Sequence, residues 1–374
     1  MRFPIPLGHS LPKPVPRHRC MHGLYLGQAR ACPTSALQWK FHMLHEKSRA
    51  QGPSGRLLRF RGQITASSEQ PMARRCLLTS LLLVFVTTAP LRAEVAIPPL
   101  VYTLGDAVMF KTGGQSIMLG HGSQPTLSPE ARQAAWVEHG DDPAQARLML
   151  CDIASGNASI LAKPGGNLHS PSFSPDGGNV IFVRRTETGQ SELWSVRPGE
   201  KPRKLAQAGG LAGDDFFEPV FSLADGRILY HDLESLYSMS LTGQKNNQTP
   251  LKNFNQGHTG AFTSTARFIP RPNSTTLAFS MSVEGSPLFR KKVPDLSSAL
   301  FLYDPQSRSA SRLTPHNITA FAPAWTTDGQ ALVFTGYSDK HAGTARPFRI
   351  WMIRPGQPPV DMGPGEDPRP ASGP

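Results

Sequence analysis

The sequence predicts an all-β protein, a β-propeller of about six four-stranded blades with the first blade incomplete. Three observations lead there: a turn motif that recurs, a spacing in the forties between its copies, and short apolar runs after each copy. The tightest copy is Pro171-Ser-Phe-Ser-Pro-Asp-Gly177, followed by Asn179-Val-Ile-Phe-Val183, Glu192-Leu-Trp-Ser-Val196 and Pro202-Arg-Lys-Leu205. Pro175 presets φ, Asp176 can bond back to the backbone and Gly177 tolerates positive φ, so the motif is a turn. Short apolar runs between such turns read as an antiparallel meander.

The remaining copies follow in register. Pro219-Val-Phe-Ser-Leu-Ala-Asp-Gly226 precedes Arg227-Ile-Leu-Tyr-His231 and Ser235-Leu-Tyr-Ser-Met239. Pro323-Ala-Trp-Thr-Thr-Asp-Gly329 precedes Ala331-Leu-Val-Phe334 and Arg349-Ile-Trp-Met-Ile353. Weaker copies start at Gln124 and at Ala266, the latter without an Asp-Gly turn. Aligned apolar anchors fall at Leu127, Phe173, Phe221, Phe268 and Trp325, spaced by 46, 48, 47 and 57 residues. Four short strands per period cannot bury both sheet faces alone, so neighbours must stack around an axis. A β-sandwich is the competing arrangement, and the periodic Asp-Gly turns argue against it.

Residues 97–119 make a reduced unit, with Leu100-Val-Tyr-Thr-Leu104, Ala107-Val-Met-Phe110 and Ser116-Ile-Met-Leu119 but no Pro-x-aromatic start. The last repeat supplies its own outer strand around Pro359-Val-Asp-Met362, so closure by strand exchange is not required. The propeller is therefore expected over 94–363. Residues 364–374, dominated by Pro and Gly, read as a disordered tail.

Upstream, Met72-Ala-Arg-Arg75 and the apolar run Cys76–Val86, followed by small residues to Ala93, have the layout of a secretory signal over 72–93. An uncleaved N-terminal anchor is the alternative, although the run is short for a membrane span. Residues 1–71 read as a misassigned or disordered extension. The expected location is periplasmic or secreted, with a mature chain starting at Glu94 and no stable membrane span after cleavage. Of 39 basic residues 14 lie in 1–93, against two of the 27 acidic ones, so the rest of the chain holds 25 of each sign. The net charge of +12 thus belongs to the N-terminal part, and the electrostatic case for a nucleic-acid partner falls. Cys151 alone remains beyond the signal, in an apolar run, and reads as a small buried hydrophobe.

The sequence Pro-x-aromatic-Ser-Pro-Asp-Gly, then an apolar strand, then Leu-Trp or Leu-Tyr, resembles the WD-like repeat of TolB-type propellers from about Gln124 to Gly363. That resemblance implies a binding module whose propeller face holds a protein or cell-envelope partner. The N-terminal α/β domain of that family has no counterpart in the repeats, so the resemblance is to the propeller only.

Loops entering the innermost strands crowd one mouth of a propeller channel. Here they carry His169, Asp214, Asp215, Glu218, His258 and His316, the candidate binding residues. Imidazoles and carboxylates together suit a divalent transition metal such as zinc or manganese. Oligogalacturonate lyases, which look similar in repeat architecture, use such a metal, so a metal-dependent polysaccharide lyase is the alternative function. The offsets between histidine and strand differ, two residues to Pro171 but seven to Pro323, and polar channel lining with no cofactor is the expected state. No catalytic residue is assigned, because the chain has no G-x-S-x-G elbow, H-E-x-x-H or phosphate loop. Arg290-Lys-Lys292 falls in the longest insertion, a basic loop able to meet an acidic partner.

Overall fold

The turns form as their residues dictate. In the computed structural model Gly177 has φ +69°, its N–H donates to Ser174 O at 2.9 Å, and Asp176 Oδ1 accepts from Gly178 N at 3.0 Å and from Ser174 Oγ. Thr326, Asp328 and Gly329 repeat the arrangement, with Thr326 Oγ1 donating to Asp328 at 2.6 Å and Gly329 at φ +64°. Each turn folds a strand back on the one before it. The structure describes residues 98–208, 215–255, 257–345 and 347–371. The expected signal at 72–93, the extension at 1–71 and the start at Glu94 lie outside those residues.

Six four-stranded antiparallel sheets result, joined as a propeller. Blade 2 holds β4 (Ser123–Leu127), β5 (Gln133–Glu138), β6 (Arg147–Asp152) and β7 (Ala158–Ala162). Blade 3 holds β8 (Asn167–Phe173), β9 (Val180–Arg185), β10 (Ser191–Val196) and β11 (Arg203–Gln207). Blade 4 holds β12 (Phe217–Phe221), β13 (Ile228–His231), β14 (Ser235–Met239) and β15 (Lys245–Pro250). Blade 5 holds β16 (Phe268–Pro270), β17 (Leu277–Val283), β18 (Ser297–Asp304) and β19 (Ser309–Arg312). Blade 6 holds β20 (Ile318–Trp325), β21 (Leu332–Ser338), β22 (Arg349–Ile353) and β23 (Val360–Pro364).

Blade 1 differs in origin. Its stretch of chain supplies β1 (Leu100–Leu104), β2 (Ala107–Thr112) and β3 (Gln115–His121). The fourth strand is β24 (Glu366–Pro370), from the other end of the chain, and the sheet order is β24-β1-β2-β3. The first blade is therefore complete, and residues 366–370 are a strand rather than a disordered tail. β23 is the outer strand of blade 6 as expected, yet closure does use exchange. The physical reason is that β1 otherwise leaves an open edge at Leu100 and Val101, both with no exposed surface. β24 covers it through Leu100↔Pro370 and Val101↔Arg369, and Ala371 N donates to Pro99 O at 2.8 Å.

Cores lie between blades. Alternate residues of a strand point to opposite faces, and here both faces are buried. Val180 and Phe182 of β9 pack with Leu148 and Leu150 of blade 2. Ile181 and Val183 pack with Ile228 and Tyr230 of blade 4. Phe279 of β17 joins Leu236 and Phe254 on one side, while Ala278 joins Ile318 and Phe334 on the other. Burying each such aromatic is worth about 1.5–3 kcal/mol. Cys151 is a free buried thiol in this packing.

The anchors Phe173, Phe221 and Trp325 occupy equivalent buried places, opposite Val180, Ile228 and Leu332. Phe268 does not. In blade 5 Pro270 stands at the anchor, opposite Leu277, and Phe268 sits two residues earlier, where the other copies have proline. The missing Asp-Gly turn removed the landmark that fixes this register. The 57-residue spacing reflects the insertion between β17 and β18, which folds a short helix, α1 (Pro287–Lys292), N-capped by Ser286 Oγ accepting from Phe289 N at 3.1 Å.

Candidate functional site: the bulge ring of the channel

Every innermost strand except β16 is broken by a bulge at an X-Pro step. Gln124, Ser170, Glu218, Ala322 and Asp367 have φ between +44° and +53°, each is followed by proline, and each falls at a register shift in its ladder. Proline has no N–H to give a ladder, so it is accommodated where a bulge already interrupts pairing. In blade 5 Arg267 holds the same place, three residues before Pro270, without the left-handed backbone. One residue from each of the six blades therefore sits at the same level of the innermost strands.

Their side chains link blade to blade. Gln124 Oε1 accepts from Ser170 N at 2.6 Å, and Ser170 Oγ donates to Glu218 Oε1 at 3.3 Å. Glu218 Oε2 accepts from Arg267 Nη2. The side chains of Arg267 and Glu218 are only 7% and 17% exposed, so this ion pair is largely out of water. Arg267 Nε and Nη1 are buried without an acceptor. Burial pushes the Asp367 carboxyl above its ordinary value; the field of Arg267 opposes that shift and Glu218 adds to it. Asp367 N donates to Thr335 Oγ1 at 2.8 Å, which ties the closing strand to blade 6.

The expected site residues divide. His169 Nδ1 lies 3.1 Å from Ser170 Oγ, and burial holds its imidazole below the ordinary value. Asp215 pairs with Arg185 at 2.7 Å and its other oxygen accepts from Phe216 N at 2.7 Å. Asp215 and Glu218 both act on the charge of His169, so these three come together. His258 is placed elsewhere: its Nε2 lies 2.9 Å from Ala310 O of outermost strand β19, and its ring meets Phe301 edge-on at 4.9 Å. His316 is exposed beside the end of β19, with Nδ1 3.1 Å from Arg312 Nη1. Asp214 lies outside the described residues. Among the described residues no group of three His, Cys, Asp or Glu side chains is placed to hold a metal ion. The arrangement can donate and accept hydrogen bonds and hold charge.

Gln124, Ser170, Arg267 and Asp367 were missed by reading loops for histidines and carboxylates. For Gln124, Ser170 and Asp367 the signal was present in the X-Pro dipeptides, with Pro368 45 residues after Pro323, whereas Arg267 precedes Phe268 and carries no such mark.

No protein-family model matches the chain. A stretch of 94 residues is 33% identical to the Tol-Pal system protein TolB of Gluconobacter oxydans (strain 621H), covering 24% of this chain and 20% of that protein. Crystalline TolB from Acinetobacter baumannii superposes with a TM-score of 0.50 at 16% identity, over 73% of this chain and 66% of that one. The propeller is TolB-like. A putative TolB from Agrobacterium tumefaciens is also similar, with a TM-score of 0.46 and 15% identity over 68% of this chain and 87% of that one. The stretch matched in the Gluconobacter protein is a fifth of that protein's length.

In the TolB-like propeller, connections between second and third strands share the rim at which innermost strands begin. Leu104, Leu233, Leu288 and Leu296 are all 43% or more exposed; Leu104 ends β1 at such a connection and the other three lie on those of blades 4 and 5. No described helix is long and apolar enough to cross a membrane.

Proposed function

We propose that this chain is a periplasmic or secreted binding module that holds a protein of the cell envelope on the channel-mouth rim of its propeller. The observation that carries the reading is that four exposed leucines, from blades 1, 4 and 5, fall on that one rim. Apolar side chains held out from rigid sheets on loop tips are what a protein partner buries, and Leu233 is held there with φ +76°. The polar bulge ring lies below them and supplies charge to a segment entering the channel. The likeness to TolB supports an envelope setting, because the Gluconobacter relative is named as a Tol-Pal system protein.

The test uses photo-crosslinking amino acids in cells that express the full chain. Probes at Leu233 and Leu296 are expected to trap a protein adduct in the extracytoplasmic fraction. A probe at Glu200, exposed on the connection between β10 and β11 at the opposite rim, is expected to trap none. Equal adducts from both rims, or recovery of the chain only in the cytoplasm, would overturn the reading.

A further inference from the structure

The six outermost strands are not alike. β11 carries Arg203 and Lys204, β15 carries Lys245 and Pro250, β19 carries Arg312, and β23 carries Asp361 and Pro364. Charge and proline on an edge strand discourage pairing with another chain. β3 and β7, the edges of neighbouring blades 1 and 2, contain no Lys, Arg, Asp, Glu or Pro. They also carry exposed apolar side chains, with Ile117 49%, Met118 50% and Ile160 50% exposed. β3 is the longer of the two, at seven residues against five. Ile117 and Met118 are consecutive, so they point to opposite faces of the sheet, and both faces of this edge are open. The sole ionisable side chain of β3, His121, is turned to Asp106 of the preceding turn at 3.1 Å. β7 is followed at once by Lys163.

We propose that β3 is a self-pairing edge, through which two copies of this chain join their first blades antiparallel along Gln115–His121. The occupant is a second copy because an isologous pair asks an edge to be compatible with itself. An edge with one sign of charge repels its own copy, since like charges directly opposite are destabilising. The edges β11, β15 and β19 fail on that ground, and β23 carries proline and aspartate. β3 brings neither obstacle. Two-fold pairing satisfies the outward N–H and C=O groups of both strands, covers Ile117 and Met118 on the two faces, and closes at two copies because the isologous contact uses the β3 edge of each copy and the joined sheet ends at β24 on both sides. A single strand pair buries less than a standard interface of about 1,200–2,000 Å², so the dimer is weak and responds to concentration.

Sedimentation of the full chain over a range of concentration tests this. The wild type is expected to move from the 40.7 kDa monomer towards twice that mass as concentration rises, with amides of β3 gaining protection from hydrogen exchange in step. The double substitution Ile117→Lys, Met118→Lys places two like charges on the edge and is expected to stay monomeric with an unchanged melting temperature. Val360→Lys, on exposed outer strand β23, is expected to dimerise as wild type does. A wild type that remains monomeric at the highest concentration overturns the proposal. So does a double variant that still dimerises, or β3 protection that is independent of concentration, which would mean a strand from within the same chain covers the edge.

Discussion

At the scale of single residues the channel is governed by Arg267. Its guanidinium is nearly out of water and has one carboxylate partner, Glu218, which also accepts from Ser170. Removing one member of a buried pair leaves the other charged and desolvated, a loss of about 3–5 kcal/mol. Arg267→Ala is therefore expected to lower the denaturant midpoint by an amount of that order. Replacing both residues together with a Met and a Leu should recover much of the loss, because no orphan charge remains. Equal destabilisation by the single and double changes, measured by urea titration, would show that the pair contributes only packing. The residue scale also explains the uneven outcome at the expected site. His169, Asp215 and Glu218 lie on or just before inner strands and face one another, while His258 is drawn to Ala310 of outermost strand β19 and His316, although just before β20, is held at Arg312 of the same outer strand.

Among the elements β24 has the largest influence for its length. It contributes five residues, yet it covers the edge of β1, ties to blade 6 through Thr335 and places Asp367 in the bulge ring. Thr327 Oγ1 donates to Ala371 O at 2.5 Å and extends the same link. Deleting residues 366–374 should open the ring between blades 6 and 1. Exposing Leu100 and Val101 alone forfeits about 3–6 kcal/mol, and the truncated chain is expected to melt over a broad range and to be cut by protease within β1 to β3. A truncated chain with the melting temperature and protease resistance of the full one would refute the closure.

For the molecule as a whole, stability is expected to depend on pH through two imidazoles. His231 Nε2 lies 2.7 Å from Ala266 O and its Nδ1 accepts from Leu233 N at 3.3 Å, so the neutral ring donates at one nitrogen and accepts at the other. Burial lowers the pKa of both His231 and His169 from the ordinary 6.5. The unfolded chain then binds more protons than the folded one below 6.5. Their contribution is fully present above that value and is lost as pH falls through it towards the folded pKa. Asp367 and Glu366, raised by burial, act in the opposite direction, so the difference between proteins is the measurement. The melting temperature of wild type should fall between about pH 7.5 and about pH 5.5, and that of the double variant His169→Gln, His231→Gln should fall less. Parallel pH profiles for the two proteins would exclude this origin.

By itself the sequence determined the class of fold, the blade count and the place of most strands, because these rest on local chemistry. Asp176 and Gly177 make their turn within a few residues of chain, and the unbroken apolar run from Val180 to Val183 announces a strand buried on both faces. Where that local chemistry was missing the register slipped, as at Phe268, and where it looked unfavourable a strand was overlooked. Pro368 and Pro370 speak against β24 in isolation, since proline lacks a ladder donor. Only the tertiary structure decided otherwise: β1 offers a buried edge that needs a partner, and the bulge at Asp367 absorbs the proline. The same holds for the site. Residue type and loop position picked out His169, Asp215 and Glu218, but the ring that joins Gln124, Ser170, Glu218 and Arg267 exists only because blades far apart in sequence converge on one axis. Convergence of that kind is a property of closed geometry, and no local stretch of the chain encodes it.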